Sequence, residues 1–312
     1  MTQPPIPHYG EIMAILGALI FAWTSVFFTI AGSRLGVTAV NLLRLPAGAL
    51  CLGLSHLVVT DSVYPAGLPW QDQMWLGLSG VVGLAIGDSA LFRSFTMIGP
   101  RRGMTMMALA PVFTVLVAWS ALGERLGPIA LLGIAVVIAG VVTASRGRVG
   151  GGGRFASLEP GILRTGILLA LLASAGQGLG SVFAKLGMTG TTSAGSGADP
   201  LSGTVVRMVW AAAAYWLFVL PRQDLRALAH RLEDRRGLLA LGVGVLLGPF
   251  ISVWISLIAI KNTEAGIAQV LLGTVPIFVV IPAWVVFKDR PSVLSGVGIV
   301  LAVGGGALLF LR

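Results

Sequence analysis

Long apolar runs make up most of the chain, and glycine, proline and charged residues separate them. Each run holds about 20 residues, the length that an α-helix needs to cross the hydrocarbon core of a bilayer. Ten runs are predicted and are numbered span 1 to span 10: residues 11–31, 39–59, 74–98, 103–122, 127–145, 162–186, 201–220, 237–260, 266–287 and 292–311. Transmembrane β-strands would show shorter, alternating segments. The pattern therefore predicts an all-α integral membrane protein.

The two halves of the chain repeat each other. Residues 110–127 align without gaps on residues 275–292, and the alignment pairs Pro111 with Pro276. One Gly-x-x-x-Gly pair and one arginine of the first half also recur in the second: Gly83 and Gly87 correspond to Gly244 and Gly248, and Arg44 corresponds to Arg207. The predicted organisation is a first five-helix repeat, a Gly- and Arg-rich connection and a second five-helix repeat: residues 1–145, 146–161 and 162–312.

Five spans per half is an odd number, so the second repeat is expected to enter the bilayer from the opposite side. Inverted repeats of this kind surround a central cavity in many secondary transporters, which alternate access to a site near the midplane. The Gly-x-x-x-Gly pairs would let neighbouring helices approach closely. The sequence thus predicts ten transmembrane helices as two inverted five-helix repeats around a central cavity.

Composition excludes the soluble classes and changes how the charge is interpreted. Hydrophobic residues make up 56% of the chain and charged residues 11%, whereas a soluble domain carries about 25% charged residues. The net charge of +9 comes from bases between the apolar runs, where topology signals and headgroup contacts lie. The expected partners are therefore a small-molecule substrate and membrane lipids, with no nucleic acid. We expect a monomer or homodimer in the inner (cytoplasmic) membrane.

The basic residues are divided unevenly between the two sides of the predicted topology. Connections after the odd-numbered spans hold 14 Lys and Arg residues, and the opposite side, with both termini, holds four. Cytoplasmic loops carry the excess of Lys and Arg. The charge bias therefore predicts both termini outside the cytoplasm.

Charged side chains inside the spans are the first candidates for a transport site, because a charge near the midplane needs a partner or a wet cavity. Asp88 lies near the middle of span 3, with Arg44 and Arg93 as candidate partners. It is either a site for a substrate amine or a proton, or half of a structural ion pair. Arg44 and Arg207 either snorkel to the headgroups or bind a substrate carboxylate or hold a gate closed.

Span 6 carries a polar stripe. Ser174, Gln177, Ser181 and Lys185 are spaced so that they share one helix face. Such a stripe faces either a cavity or another helix, to which it would hydrogen-bond. Gln269 adds a polar position in span 9.

Three further residues have two interpretations each. Trp254 in span 8 belongs either to an interfacial aromatic belt or to a cavity wall. Pro111 and Pro276 remove a backbone hydrogen bond from their helices and are expected to kink the helix interiors. Equivalent kinks in both halves would be paired gates or static bends.

The repeated stretches resemble the drug/metabolite transporter superfamily, specifically its ten-span EamA-type branch, with similarity to YddG-like exporters. The resemblance rests on PVFTVLVAWSALGERL at 111–126, its degenerate copy at 276–291, and the IGPRRG and IKNTEAG turns before them. The second copy departs from the pattern, with KDR at 288–290 in place of Gly-Glu-Arg. The resemblance implies a ten-helix basket that exports or exchanges small metabolites or drugs. It also implies both termini inside, against the charge bias.

The predicted function is secondary transport. The protein would export or exchange small metabolites, a class that includes amino acids and amphipathic compounds. Catalytic and nucleotide-binding motifs are absent from the sequence, so no enzyme activity and no cofactor are expected and transport would use a gradient. One cysteine and three scattered histidines offer no metal site. Asp88 is the strongest candidate for proton coupling. The alternatives are a lipid or lipid-linked-sugar flippase with a groove open to lipid, and an integral membrane enzyme with polar residues clustered at an interface.

Overall fold

Backbone polar groups inside a bilayer find no water, so an apolar segment crosses it as a helix that satisfies its own hydrogen bonds. The computed structural model describes most of the chain: residues 6–98, 106–146, 159–190, 197–223, 231–278, 282, 285 and 293–310. All regular structure in these residues is helical. The prediction of an all-α protein is therefore confirmed there. Most of the predicted connection between the repeats, 147–158, lies outside the described residues.

The helices are numbered after the spans that they correspond to. The first half has α1 Tyr9–Leu35, α2 Val37–Thr60, α3 Trp70–Ser79 continued by Gly80–Gly87 and Asp88–Ile98, α4 Ala110–Ala121 and α5 Pro128–Arg146. The second half has α6 Pro160–Thr189, α7 Pro200–Val219, α8 Arg235–Val245 continued by Leu246–Ser252 and Val253–Asn262, α9 Ala265–Leu272 followed by Val275–Phe278, and α10 Val293–Phe310.

Six helices of the described part are long and apolar enough to cross a membrane, and they correspond to α1, α2, α3, α6, α7 and α8. Three shorter apolar helices belong to α4, α5 and α10: Ala110–Ala121, Pro128–Thr143 and Gly296–Leu309. Helix α9 is interrupted, and part of its predicted span lies outside the described residues. Length and composition thus give a multi-pass membrane protein.

Glycine pairs bring helices of the two halves into close contact. A Cβ on Gly176 of α6 would lie 2.9 Å from the carbonyl oxygen of Val82 and 3.4 Å from Cα of Gly87 in α3. A Cβ on Gly248 of α8 would lie 2.5 Å from Cγ2 of Thr24 in α1. The third helix of each half therefore packs on the first helix of the other half, with no room for a larger residue at the contact.

Helices α5 and α10 form a separate pair. A Cβ on Gly140 of α5 would lie 2.5 Å from the backbone nitrogen of Ala302 in α10, and one on Gly305 would lie 2.7 Å from that of Val137. The two helices thus pack backbone to backbone along their glycines. They lie at the side of the bundle and join one helix from each half.

The prediction that the repeated prolines kink helix interiors is wrong. The chain makes a turn at 108–109, and α4 begins at Ala110, so Pro111 lies in the first turn of its helix. In the second half a turn at 273–274 ends Ala265–Leu272, and the next helical segment begins at Val275, one residue before Pro276. The first turn has unpaired N–H groups in any case, so proline costs no hydrogen bond there. Both spans are broken, not bent, at corresponding positions.

Candidate functional site

A cavity of about 190 Å³ lies in the middle of the bundle. Helices α1, α2, α3, α6, α7, α8 and α9 line it, together with the turn before α4, so both halves contribute to its wall. Most of the wall is apolar. Polar side chains enter it at eight positions: Arg44, Asp88, Gln177, Ser181, Arg207, Ser252, Ser256 and Gln269. A mostly apolar pocket with a few convergent polar groups is the usual form of a small-molecule site.

Asp88 and Arg44 form a buried ion pair at this cavity. Nη2 of Arg44 lies 2.5 Å from Oδ2 of Asp88, and Nε of Arg44 donates to Oδ1 of Asn41 at 2.7 Å. The second carboxylate oxygen of Asp88 accepts a hydrogen bond from Nε2 of Gln177 at 2.9 Å. The pair therefore joins α2, α3 and α6, and each oxygen of the carboxylate has a donor.

Neither of the repeated arginines snorkels to the headgroups. Arg44 and Arg207 are each 4% exposed and line the cavity. The guanidinium carbon of Arg44 lies 5.9 Å from the ring centre of Phe28 and 5.4 Å from that of Phe92. Aromatic faces attract a cation at these distances, and they hold Arg44 away from the lipid surface.

Arg93 is not at Asp88, although the sequence made it a candidate partner. It follows Asp88 by five residues, which places it about 140° round the same helix, and its side chain is exposed. Trp254 is also not among the described residues that line the cavity. Its ring stacks on Phe250, with centroids 6.3 Å apart and planes at 30°, and both rings pack against a buried apolar cluster of α2, α3 and α7.

The polar stripe of α6 divides between three environments. Gln177 and Ser181 line the cavity, and Oγ of Ser181 donates to Oε1 of Gln269 in α9 at 2.6 Å. Ser174 is fully buried, and its hydroxyl has no hydrogen-bond partner in the described part of the chain. Lys185 lies beyond the cavity, towards the end of α6. The stripe thus serves both the cavity and the contacts between helices.

Lys185 pairs with Glu124, which lies in the repeated stretch at 111–126. Nζ of Lys185 lies 2.6 Å from Oε1 of Glu124 and donates to the carbonyl oxygen of Thr263 at 2.5 Å. Glu124 also accepts the backbone N–H of Ala265, the first residue of α9, at 2.9 Å. A carboxylate at a helix N-terminus is favoured by the helix dipole. This cluster joins both halves at the end of the bundle where α1 begins.

The halves meet in a second ion pair at the other end of α1. Nη1 of Arg34 lies 3.0 Å from Oδ2 of Asp234. Asp234 precedes α8, and its carboxylate also accepts the N–H groups of Arg236 and Gly237. The hydrogen bond from Arg34 and these N–H groups hold the pKa of Asp234 below its usual value. This pair is open to solvent, with side chains 40% and 33% exposed, whereas those of Lys185 and Glu124 are each 13% exposed.

Two helices change their winding beside the cavity. Gly80–Gly87 in α3 and Leu246–Ser252 in α8 are π-helical, and the first of these segments ends directly before Asp88. Pro249, which corresponds to Asp88 in the repeat, lies inside the second. π-Helical turns are frequent at functional sites. The hydrophobic pattern did not predict these segments; the local signals in the sequence were the glycines and Pro249.

Comparisons with known proteins agree with this architecture. The model of the EamA-like transporter family matches residues 8–146 and again residues 164–311. No curated protein matches the chain. A solved structure titled "Crystal structure of protein" is similar over 98% of each chain, with 21% sequence identity and a TM-score of 0.71, which is a likeness of fold. Two repeats that cover nearly the whole chain show that it belongs to the EamA-like transporter family.

Proposed function

We propose that the chain is a secondary transporter that exports or exchanges small metabolites, amino acids or amphipathic compounds among them, by alternating access. Family membership makes it a membrane transporter of small molecules. The observation that carries the finer proposal is the cavity, because corresponding arginines of the two repeats, Arg44 and Arg207, both line it. Substrate would bind there between the halves. We place the protein in the inner membrane as a monomer or homodimer.

Inverted repeats are supported by how the helices exchange partners. Helix α3 packs on α6, and α8 packs on α1, in each case through glycine. The breaks before α4 and within α9 occur at aligned positions, and Ala108 and Gly273 at these breaks both line the cavity. Discontinuous helices beside a central site are typical of transporters built from inverted repeats. We propose that these two breaks, next to Pro111 and Pro276, are the hinges of the gates.

The ion pairs at the two ends of the bundle would be the gate contacts. Glu124 and Lys185 come from different halves and are nearly buried, so that end is closed tightly. Arg34 and Asp234 also come from different halves, but their contact is open to solvent. In alternating access the halves rock about a fixed site. One contact would therefore break as the other tightens.

The geometry disfavours the two alternatives. A drug-sized ligand occupies a pocket of about 300–1,000 Å³, and a cavity of about 190 Å³ suits a smaller molecule than a lipid. A catalytic site needs a nucleophile within reach of a base. Asp88 is the only carboxylate among the described residues that line the cavity, and its oxygens already accept from Arg44 and Gln177. We therefore assign Asp88 to coupling and not to catalysis.

Cysteine accessibility tests alternating access directly. Ser181→Cys, on a Cys51→Ser background, is expected to react with membrane-impermeant thiol reagents and to be protected by a transported substrate. Leu172→Cys is the matched control on the same helix, because Leu172 is 50% exposed on the outer surface of the bundle and would face lipid. Inertness of Ser181→Cys from both sides of the membrane would contradict the proposal, as would labelling from one side that substrate does not change.

The orientation of the protein has its own test. Four basic residues lie on the side with few charges, and two of them, Lys185 and Lys261, donate to backbone carbonyls inside the bundle. The difference between the two sides in basic residues that lie free in the loops is therefore larger than the sequence count. We expect both termini outside the cytoplasm. A reporter active only outside the cytoplasm should be active when fused after Arg312, and a fluorophore that matures only in the cytoplasm should stay dark. The reverse pattern would show that the orientation implied by the family resemblance is correct.

A further inference from the structure

One arginine at the cavity forms no ion pair with an acid in the described part of the chain. Arg207 is 4% exposed, and its Nε has no hydrogen-bond partner in the described part of the chain. Burying an unpaired charge is costly, so a buried guanidinium normally has an acid or several acceptors beside it. Arg44, at the corresponding position of the first repeat, has both an acid and an amide acceptor. The two arginines therefore differ in what they offer to a ligand.

The charge balance of the wall follows from this difference. Three of the described residues that line the cavity carry full charges, and they are Arg44, Asp88 and Arg207. The first two neutralise each other across 2.5 Å. The described wall is left with a net charge of +1, and Arg207 carries the planar group that matches a carboxylate with two parallel hydrogen bonds.

The guanidinium of Arg207 packs closely against a glycine of α3. A Cβ on Gly83 of α3 would lie 3.1 Å from Nη2 of Arg207 and 3.8 Å from Oε1 of Gln177. A side chain at this position would therefore press on the guanidinium. The cavity wall also includes the apolar side chains of Leu45, Leu84 and Met208.

We infer that Arg207 binds the carboxylate of the transported molecule, and that the substrates are small monoanions with an apolar body. The inference rests on the proposed function, since it concerns the ligand of the same cavity. One negative charge neutralises the wall, whereas a dianion such as sulfate would leave it negative. A cavity of about 190 Å³ with apolar sides accommodates a short aliphatic or single-ring acid.

Ligand-induced stabilisation of the purified full-length protein tests the inference with matched probes. Acetate, 4-methylpentanoate and phenylacetate are each compared with the neutral amide of the same shape. At least one acid is expected to raise the melting temperature more than its amide does. In Arg207→Gln the affinity for that acid should fall about 10- to 150-fold, as expected when hydrogen bonds to a charged group are lost. Arg207→Lys keeps the charge but cannot form two parallel hydrogen bonds, so its affinity for the acid should lie between those of the unchanged protein and Arg207→Gln.

A structural role for Arg207 would give a different result without ligand. Removing an unpaired buried charge is expected to leave the melting temperature of the ligand-free protein unchanged or higher. A structural arginine would lower it on substitution. Arg222→Gln is the control, because Arg222 is exposed at the end of α7 and lies away from the cavity; acid binding should be unaffected there.

Each other outcome would overturn the inference. These outcomes are equal stabilisation by acids and amides, acid binding that survives in Arg207→Gln, a less stable ligand-free Arg207→Gln protein, or stabilisation by sulfate alone. Counterflow of radiolabelled acid in proteoliposomes then separates the two proposals. Acid binding without counterflow would contradict transport and leave the site standing. If neutral or cationic compounds undergo counterflow and Arg207→Gln does not change its rate, transport would be supported and the specificity for anions would be wrong.

Discussion

Replacing Arg44 with glutamine is expected to lower the free energy of unfolding by about 3–5 kcal/mol, the usual effect of removing one partner of a buried ion pair. Among the described residues, the carboxylate of Asp88 would keep only the hydrogen bond from Gln177, in a wall that is mostly apolar. Transport should be lost as well. The measurement is reversible unfolding of the purified protein in detergent, beside uptake into proteoliposomes.

The double variant Arg44→Gln with Asp88→Asn separates structure from function. It buries no charge at this position, so most of the lost stability is expected to return. Transport is not expected to return, because an amide at residue 88 can neither take up a proton nor hold a substrate amine. A stable double variant with normal, normally pH-dependent uptake would contradict the assignment of Asp88 to coupling. The pair would then be a structural link between α2, α3 and α6.

Breaking the contact between Glu124 and Lys185 is expected to have the second largest effect on stability and on transport. Lys185→Gln removes a hydrogen-bonded charge that is nearly buried, which costs about 1.5–3 kcal/mol. Among the described residues, it also leaves Glu124 with only the N–H of Ala265, so the end of the bundle where α1 begins should open more often. The rate at which Ser181→Cys is labelled from that side should increase.

Arg34→Gln is the matched control for this prediction, because it also breaks an ion pair between the two halves. Arg34 and Asp234 are exposed to solvent, and exposed pairs contribute little to stability. The low pKa of Asp234 means that the contribution of this pair is present above the ordinary pKa of an aspartate and is lost as the pH falls through the lowered value. If Arg34→Gln and Lys185→Gln had the same effect on stability and labelling, the proposed buried gate would be wrong.

The positions of the helices could be predicted from the sequence because an apolar run of membrane length has few alternatives to a helix. The same periodicity placed Gln177 and Ser181 on one face of α6, and the structure has both at the cavity. It could not show that Ser174, on the same face, is buried in a helix contact, since spacing along a helix does not say what lies opposite. Arg93 is a similar case. Its position along span 3 suits a partner of Asp88, but its side chain lies on a different side of the helix.

Features that depend on backbone geometry could not be predicted from the pattern of apolar and polar residues. Pro111 suits either the interior of a kinked helix or the first turn of a new one, and only the turn at 108–109 decides between them. Glu124 lies between two apolar runs, where a charge is usually solvated. Its pairing with Lys185 follows from how α4, α6 and α9 converge, which is a tertiary property.

The π-helical segment of α3 makes the pair of Asp88 and Arg44 sensitive to helical register. A π-helical turn accommodates one residue more than an α-helical turn. If Gly80–Gly87 rewound to regular α-helix, the helix beyond it would rotate by about 100°, the angle of one residue. Asp88 follows that segment directly, so its carboxylate would swing away from Arg44 while the preceding part of α3 stayed packed on α6. A change of winding in eight residues is therefore sufficient to disconnect the ion pair without separating the two halves of the protein.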